Sequence, residues 1–184
     1  MAKVVSLESL KNQKAAKRGF REWQRRFKTL PILDEHTRWS DLPDELILFL
    51  AEDDEDSRPI IHDLLTGTLG LGSGYEFESL PPDQLLPLLD IYFILIDQVR
   101  FECMRRLGWV NEIPLGNKPI IGLIKDSKPG VISTLTETPR PTPKHPAYPE
   151  YCLLKEMEKM ACIRRTIPEA VKQFQEKMKS HGNR

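Results

Sequence analysis

Hydrophobic positions in the first thirty residues recur every three or four residues, which is the period of a helix with one apolar face. The apolar positions on that face are Ala16, Phe20, Trp23, Phe27 and Leu30. Cations follow the same rhythm on the opposite face, at Lys14, Arg18, Arg21, Arg25 and Lys28. The pattern therefore predicts a two-faced helix over residues 13–30. Leu7 and Leu10 lie off its apolar face, so residues 1–12 are predicted to form a mobile arm.

The longest apolar segment predicts a central helix. It begins after Leu80-Pro81-Pro82 and runs to about Leu107, where Gly108 is a natural stop. Its apolar residues point in nearly every direction, which is typical of a helix surrounded by other helices. Aspartates seven residues apart form one polar stripe along this helix, at Asp83, Asp90 and Asp97.

Shorter helices are predicted before and after this segment. One ends in the acidic run of residues 52–56, and another covers residues 58–65. Glycines in residues 67–74 predict a connector, because neither the dinucleotide-binding nor the P-loop spacing is present. Two further helices are predicted near the end of the sequence, over residues 150–165 and 168–180.

β-Branched residues on both sides of a Pro-Gly turn predict a β-hairpin at residues 120–136. Five prolines within residues 139–149 predict an extended linker. Together the elements predict a mainly α fold: a helical bundle around a central hydrophobic helix, with one small β-hairpin and a proline-linked pair of C-terminal helices. In this division, residues 13–138 form a single core domain and residues 150–184 form helices that pack on it.

Charge is distributed in opposite blocks, although the whole chain has 27 basic and 27 acidic residues. Residues 1–30 carry nine Lys or Arg side chains and two carboxylates, a net charge of +7. Residues 31–60 carry two Arg side chains and ten carboxylates, a net charge of −8. Such asymmetry indicates either a binding partner or pairing between the two blocks.

The sequence contains none of the common motifs for metal binding or nucleophilic catalysis. Its three cysteines are too few for a disulfide framework and match no zinc spacing, so free thiols are expected. Its four histidines form no H-E-x-x-H or E-x-x-H unit, and the acidic run of residues 52–56 departs from the calcium-loop pattern. We therefore predict no catalytic residue, no metal and no cofactor, and no motif identifies a family.

The aspartate stripe is the strongest candidate for an enzyme site. Carboxylates on a largely apolar helix can acquire raised pKa values or hold a cation. Arg100, however, follows Asp97 by three residues, as in an ordinary helix pair. Glu102 is likewise followed, after three and four residues, by Arg105 and Arg106. We therefore prefer to interpret the stripe as an exposed seam of ion pairs. A catalytic carboxylate site is the less favoured interpretation.

The basic face of the first predicted helix is the best functional candidate. Its five cations can contact an acidic protein surface or a second copy of the chain, or they can follow the phosphates of a nucleic acid. They can also form a solvated face or pair with residues 31–60. We expect a non-catalytic interaction or adaptor protein that uses this face. A nucleic-acid-binding protein without sequence preference is the alternative.

The location expected from the sequence is the cytoplasm. The first twenty residues contain six charged side chains and no apolar signal-peptide core. The apolar segment of residues 85–96 is too short and too charged to cross a bilayer, so no membrane partner is predicted. Pro143 and Pro146 form a minimal PxxP motif, for which a spacer role is preferred over peptide docking.

Overall fold

The computed structural model describes residues 6–127 and 137–182, and it is mainly helical. The α-helices are α1 (Leu7–Gly19), α2 (Arg21–Arg26), α3 (Asp44–Glu52), α4 (Arg58–Leu69), α5 (Pro82–Arg106), α6 (Ile120–Asp126), α7 (Tyr148–Tyr151), α8 (Glu156–Arg165) and α9 (Ile167–Gly182). Two 3₁₀ helices cover Trp39–Asp41 and Gly74–Ser79. Strands β1 (Val110–Glu112) and β2 (Arg140–Pro141) pair as a small antiparallel sheet. The prediction of a mainly α fold with one small antiparallel sheet is confirmed.

Helix α5 lies between two clusters of buried apolar side chains. The larger cluster joins Leu95 and Val99 to side chains of α1, α2, α3, α4, α6 and α9. The smaller cluster joins Phe101 to side chains of β1, α8 and α9. The predicted central helix is therefore confirmed. It is not surrounded along its whole length, however, because Leu86 and Phe93 are exposed by 63% and 61%.

The predicted helix over residues 13–30 is divided in two at Phe20. This residue leaves the helical backbone conformation, with φ −91° and ψ 4°, and separates α1 from α2. Trp23 of α2 is fully buried, and its indole N–H donates a hydrogen bond to the carbonyl oxygen of Ile60 at 3.0 Å. This bond links α2 to α4 within the core.

Helix α1 begins earlier than the sequence pattern predicts. The Ser6 hydroxyl accepts a hydrogen bond from the backbone N–H of Ser9 at 3.1 Å, which is the geometry of a helix N-cap. Residues 7–12 are therefore helical and belong to α1, so the predicted boundary between an N-terminal arm and the first helix at residue 13 is not observed. Residues 1–5 lie outside the described residues.

Helix α4 continues beyond its predicted end at residue 65. It includes Gly67, which was predicted to lie in a connector. It ends at Leu69, and Gly70 follows with φ +75°, a left-handed backbone conformation that favours glycine. Gly67 is needed for packing: a Cβ atom there would lie 2.7 Å from the carbonyl oxygen of Arg18 in α1. The absence of a side chain lets the backbones of α1 and α4 approach closely.

The hairpin predicted at residues 120–136 is wrong over its first arm, which forms α6. Four apolar residues of this segment are buried together in the larger cluster: Ile120, Ile121, Leu123 and Ile124. Their spacing suits one face of a helix, and packing against α1 and α4 outweighs the β-propensity of isoleucine. The second arm lies outside the described residues. The observed sheet instead pairs Val110 with Pro141 and Glu112 with Arg140.

The proline-rich segment of residues 139–149 is docked on the body of the protein and is not a free extended linker. The Thr142 backbone N–H donates to the carbonyl oxygen of Trp109 at 2.8 Å, and its hydroxyl donates to that of Gly108 at 2.7 Å. His145 is buried, and its Nδ1 accepts a hydrogen bond from a backbone N–H at 3.1 Å. Thr142 and Ala147 are not prolines, so their backbone N–H groups can donate these hydrogen bonds and hold the segment in place.

The C-terminal segment is helical, with one interruption in the first predicted helix. Residues 150–165 divide into α7 and α8, and α9 follows almost directly. Phe174 of α9 is fully buried in the larger core cluster, while Ile163 of α8 belongs to the smaller one. Helix α9 therefore packs against α5, and α8 contributes to the smaller cluster beside it.

Candidate functional site

A groove with cations along its walls lies among α1, α4 and α6. Its volume is about 360 Å³. The cations are Lys11, Lys14, Arg18 and Lys125, and Thr68 and Leu69 of α4 complete the wall. In the part of the chain that the structure describes, no Asp or Glu side chain lines it. We call this feature the basic groove.

Helix α1 supplies three of the four cations from one stripe. Lys11, Lys14 and Arg18 are spaced by three and four residues, so they lie on the same side of the helix over about 10 Å. The close packing of α1 on α4 brings Arg18 to the end of α4. There its guanidinium donates a long hydrogen bond of 3.5 Å to the carbonyl oxygen of Thr68.

The fourth cation comes from a distant part of the sequence. Lys125 lies near the end of α6, and its ammonium group donates a hydrogen bond to the side-chain oxygen of Asn12 in α1. This contact places Lys125 beside the stripe on α1. The concentration of positive charge therefore depends on the tertiary packing of α6 against α1.

The cations of the basic groove have no acidic partner among the described residues. Arg18 donates a hydrogen bond to a backbone carbonyl oxygen, and Lys125 donates one to a side-chain amide oxygen. Like charges held close together repel, and this repulsion lowers the stability of the folded state until an anion approaches. The arrangement is therefore suited to binding an anionic group.

The other cations of the predicted basic face do not line this groove. Arg25 pairs with Glu22 at 2.6 Å, and Arg21 lies 3.8 Å from Glu22 and 3.9 Å from the carboxylate of Asp63. Asp63 is buried, and burial raises the pKa of its carboxyl group. Lys28 is exposed, beyond the end of α2. The structure thus brings Lys14 and Arg18 together but separates them from Arg21, Arg25 and Lys28.

Acidic residues that follow α3 are largely engaged within their own region. Asp53 accepts hydrogen bonds from the Tyr92 hydroxyl and from the guanidinium groups of Arg58 and Arg100, the latter two at 3.3 Å. Burial and the bond to Asp53 raise the pKa of Tyr92. The Asp54 carboxylate accepts two backbone N–H bonds, which lower its pKa. The acidic run therefore closes the turn between α3 and α4.

A single ion pair links the acidic block of residues 31–60 to the basic N-terminal segment within the described residues. It joins Arg26 to Asp56 at 3.9 Å, and both side chains are well exposed. Other carboxylates of the block pair elsewhere, for example Asp44 with Arg106. Pairing within the chain accordingly leaves the basic groove open.

A second, more apolar groove of about 410 Å³ borders the basic groove. Leu10 and Ile32 contribute apolar surface to it, and they are exposed by 44% and 90%. Lys14 lines both grooves. Lys17, Asp34 and Glu35 also line the second one, among others. Positive charge and exposed apolar surface therefore meet at Lys14.

The aspartate stripe of α5 does not gather into one site. Asp97 accepts two hydrogen bonds from the Arg164 guanidinium of α8, at 2.6 Å and 3.0 Å. Asp83 and Asp90 are exposed, and seven helical residues separate each aspartate from the next by about 10 Å. The predicted pair of Asp97 with Arg100 is not formed, since Arg100 contacts Asp53. The three carboxylates therefore do not share a ligand in this structure.

Residues 6–127 and 137–182 contain neither a metal-ligand cluster nor a membrane-spanning helix. Within these ranges, no group of three or more His, Cys, Asp or Glu side chains is arranged to hold a metal ion. No helix there is both long enough and apolar enough to cross a membrane. All three cysteines are free thiols, with Cys103 and Cys162 buried and Cys152 exposed.

Two cations of the basic groove were missed by the sequence analysis. Lys11 continues the spacing of Lys14 and Arg18, and the N-cap signal of Ser6 was sufficient to include it in the helix. Lys125 gives no such signal, because its position depends on the packing of α6.

Comparisons with protein-family models, curated proteins and solved structures found no match.

Proposed function

We propose that the protein is a non-catalytic interaction protein that binds an acidic segment of a partner protein in the basic groove. The observation that carries this proposal is a group of four cations around one groove. Among the described residues, these cations have no acidic partner and no carboxylate lines the groove. Carboxylates of a partner would replace the repulsion among these cations with attraction. Part of this surface, Lys14 and Arg18, belongs to the basic face predicted from the sequence.

The neighbouring apolar groove supports a protein partner over a nucleic acid. Exposed Leu10 and Ile32 offer apolar surface beside Lys14, which suits a segment that combines acidic and apolar residues. The cation stripe on α1 extends over only about 10 Å. A continuous track of five cations, as a long nucleic-acid strand favours, is interrupted at Phe20.

The engagement of the acidic block supports a different protein as the partner rather than a second copy. Asp44, Asp53 and Asp54 are used in contacts within the chain. They are therefore less available to enter the basic groove of another copy.

The proposal is tested with a fluorescein-labelled peptide in which glutamate and leucine alternate, and binding is followed by fluorescence anisotropy. The variant Lys11→Gln/Lys14→Gln/Arg18→Gln should bind this peptide at least about tenfold more weakly than the wild type. A peptide with glutamine in place of glutamate measures the apolar contribution alone, and it should bind weakly to both proteins.

A matched variant removes the same net charge outside the groove: Arg21→Gln/Arg25→Gln/Lys28→Gln. It should bind the acidic peptide within about twofold of the wild type, because exposed charges at a distance are screened by salt. An equal loss of affinity for the acidic peptide in the two variants would contradict specific binding in the basic groove. Tighter binding of an oligothymidylate than of the acidic peptide, lost in the first variant, would instead establish the nucleic-acid alternative.

A further inference from the structure

A polar cavity of about 270 Å³ lies at the C-terminal end of α5, beside β1 and away from the basic groove. Its polar lining consists of Ser40, Glu102, Arg105, Asn111, Glu112 and Asn117. These residues come from the 3₁₀ helix before α3, from α5, from β1 and from the following turn.

Glu102 is a buried anchor for two arginines. Only 2% of this side chain is exposed. Its carboxylate accepts hydrogen bonds from Nε and Nη2 of Arg105 at 2.7 Å and 2.6 Å, and from Nε of Arg106 at 2.8 Å. Arg106 also pairs with Asp44, so the four charges balance. The sequence predicted these helix pairs, but as part of an exposed seam.

The bond to Glu102 fixes the orientation of the Arg105 guanidinium and leaves one edge of it available. Glu102 occupies the edge formed by Nε and Nη2. Nη1 has no hydrogen-bond partner in the part of the chain that the structure describes. A guanidinium held in this way offers the Nη1 and Nη2 protons as a second fork, which matches the two oxygens of a carboxylate.

Two asparagines on the cavity wall are also available to a ligand. The side chains of Asn111 and Asn117 make no hydrogen bond to other described residues, and each carries both donors and an acceptor. The turn that carries Asn117 is held in an unusual conformation, since Leu115 has φ +63°. Non-glycine residues adopt this conformation at a cost in free energy, and such residues are concentrated at binding sites.

We infer that this cavity binds a small carboxylic acid that also carries a hydroxyl or amide group. The carboxylate takes the free fork of Arg105, and the second polar group pairs with the side chains of Asn111 and Asn117. The Glu112 carboxylate in the lining pairs with Arg140 at 3.3 Å. A volume of about 270 Å³ is at the lower limit of ligand cavities, which restricts the ligand to a molecule smaller than a nucleotide. The site is separate from the basic groove and does not depend on the function proposed for it.

The test is an NMR titration of the isotopically labelled full chain with L-lactate. L-lactamide, the neutral amide of the same acid, is the control ligand. Lactate should shift the Arg105 Nε–H signal and the side-chain amide signals of Asn111 and Asn117 in a saturable way. Lactamide should bind at least about tenfold more weakly, because it cannot accept the charge-assisted pair. Equal shifts with the two compounds, or none with lactate at millimolar concentrations, would overturn the inference.

Two variants separate binding from folding. Arg105→Gln removes the fork and should abolish the lactate shifts, although it also alters the contact with Glu102. Asn117→Ala leaves that contact intact and removes the amide that pairs with the second polar group of the ligand, so it should weaken lactate binding about fivefold. Lys118→Gln is the control, because Lys118 pairs with Asp126 and does not line the cavity. Undiminished lactate binding by a folded Asn117→Ala protein would contradict the site.

Discussion

Gly67 of α4 lies directly against Gly19 of α1: a Cβ atom on Gly67 would approach the Cα of Gly19 to 3.2 Å. The two helices meet backbone to backbone at this point. Their contact places Thr68 next to Arg18 and so forms one wall of the basic groove. The candidate site therefore depends on a glycine pair that carries no functional group.

The substitution Gly67→Ala should reduce the free energy of unfolding by about 1–3 kcal/mol. The added methyl group would lie 2.7 Å from the carbonyl oxygen of Arg18, and the helices must separate to accommodate it. Urea denaturation followed by circular dichroism measures the effect.

Gly122→Ala is the matched control for this change. Gly122 lies within α6, and a Cβ atom there meets nothing within 4 Å. The control should therefore be more stable than the wild type by about 0.5–1 kcal/mol, since alanine favours the helix over glycine. Equal effects of the two substitutions would show that α1 and α4 are not in backbone contact.

Removal of the buried charge at Glu102 should be strongly destabilising. The variant Glu102→Gln loses the carboxylate that holds Arg105 and Arg106, and we expect a loss of about 3 kcal/mol. Glu112→Gln removes an exposed carboxylate that pairs with Arg140 at 3.3 Å, and it should cost less than about 1 kcal/mol. Thermal unfolding of both variants measures the difference, and similar losses would contradict the burial of Glu102.

Stability should decrease as the pH falls below neutrality, in part because of His145. Burial lowers the pKa of this imidazole below the ordinary value of 6.5, so the unfolded chain binds the proton more readily than the folded one. Its neutral form contributes stability above pH 6.5, and this contribution is lost as the pH falls through the lowered pKa. Burial shifts the pKa of His62 in the same direction.

The contribution of His145 is isolated with the variant His145→Asn, whose side-chain oxygen can still accept the backbone N–H bond of Ala147. Urea denaturation at several pH values should show a shallower decrease for the variant below pH 6.5 than for the wild type. An identical pH dependence in the two proteins would mean that His145 protonates equally well in the folded state.

The three cysteines should differ in their reactivity toward a thiol reagent such as dithionitrobenzoate. Burial raises the pKa of Cys103 to about 12, and burial also raises that of Cys162, so neither forms a thiolate readily at neutral pH. Cys152 is exposed and should react first. One rapid equivalent in the native protein is expected, with the remaining two reacting only in denaturant, and Cys152→Ser should remove the rapid one.

The elements with strong local signals could be predicted from the sequence, and those fixed by packing could not. The start of α5 at Pro82 and its end before Gly108 follow from proline and glycine. The break at Phe20 does not, because neither proline nor glycine stands at Phe20 and the apolar spacing continues across it. Residues 120–126 are rich in isoleucine, and burial against neighbouring helices determines their conformation.

The candidate site shows the same division. The regular spacing of Lys14 and Arg18 placed both on one face from the sequence alone. Lys125 lies 107 positions beyond Arg18, and only the packing of α6 against α1 brings it into the groove. The role of Arg105 in the polar cavity could not be predicted either, because the sequence around it does not show that Glu102 is buried.

The division of the basic segment at Phe20 has an evolutionary consequence. On one side of the break, the cations of the basic groove pair with no carboxylate among the described residues. On the other side, Arg21 and Arg25 contact Glu22, and Arg21 also approaches the buried Asp63. Substitutions in the groove can therefore accumulate with little effect on folding. Single amino-acid replacements can thereby change the charge of this surface while the architecture stays the same.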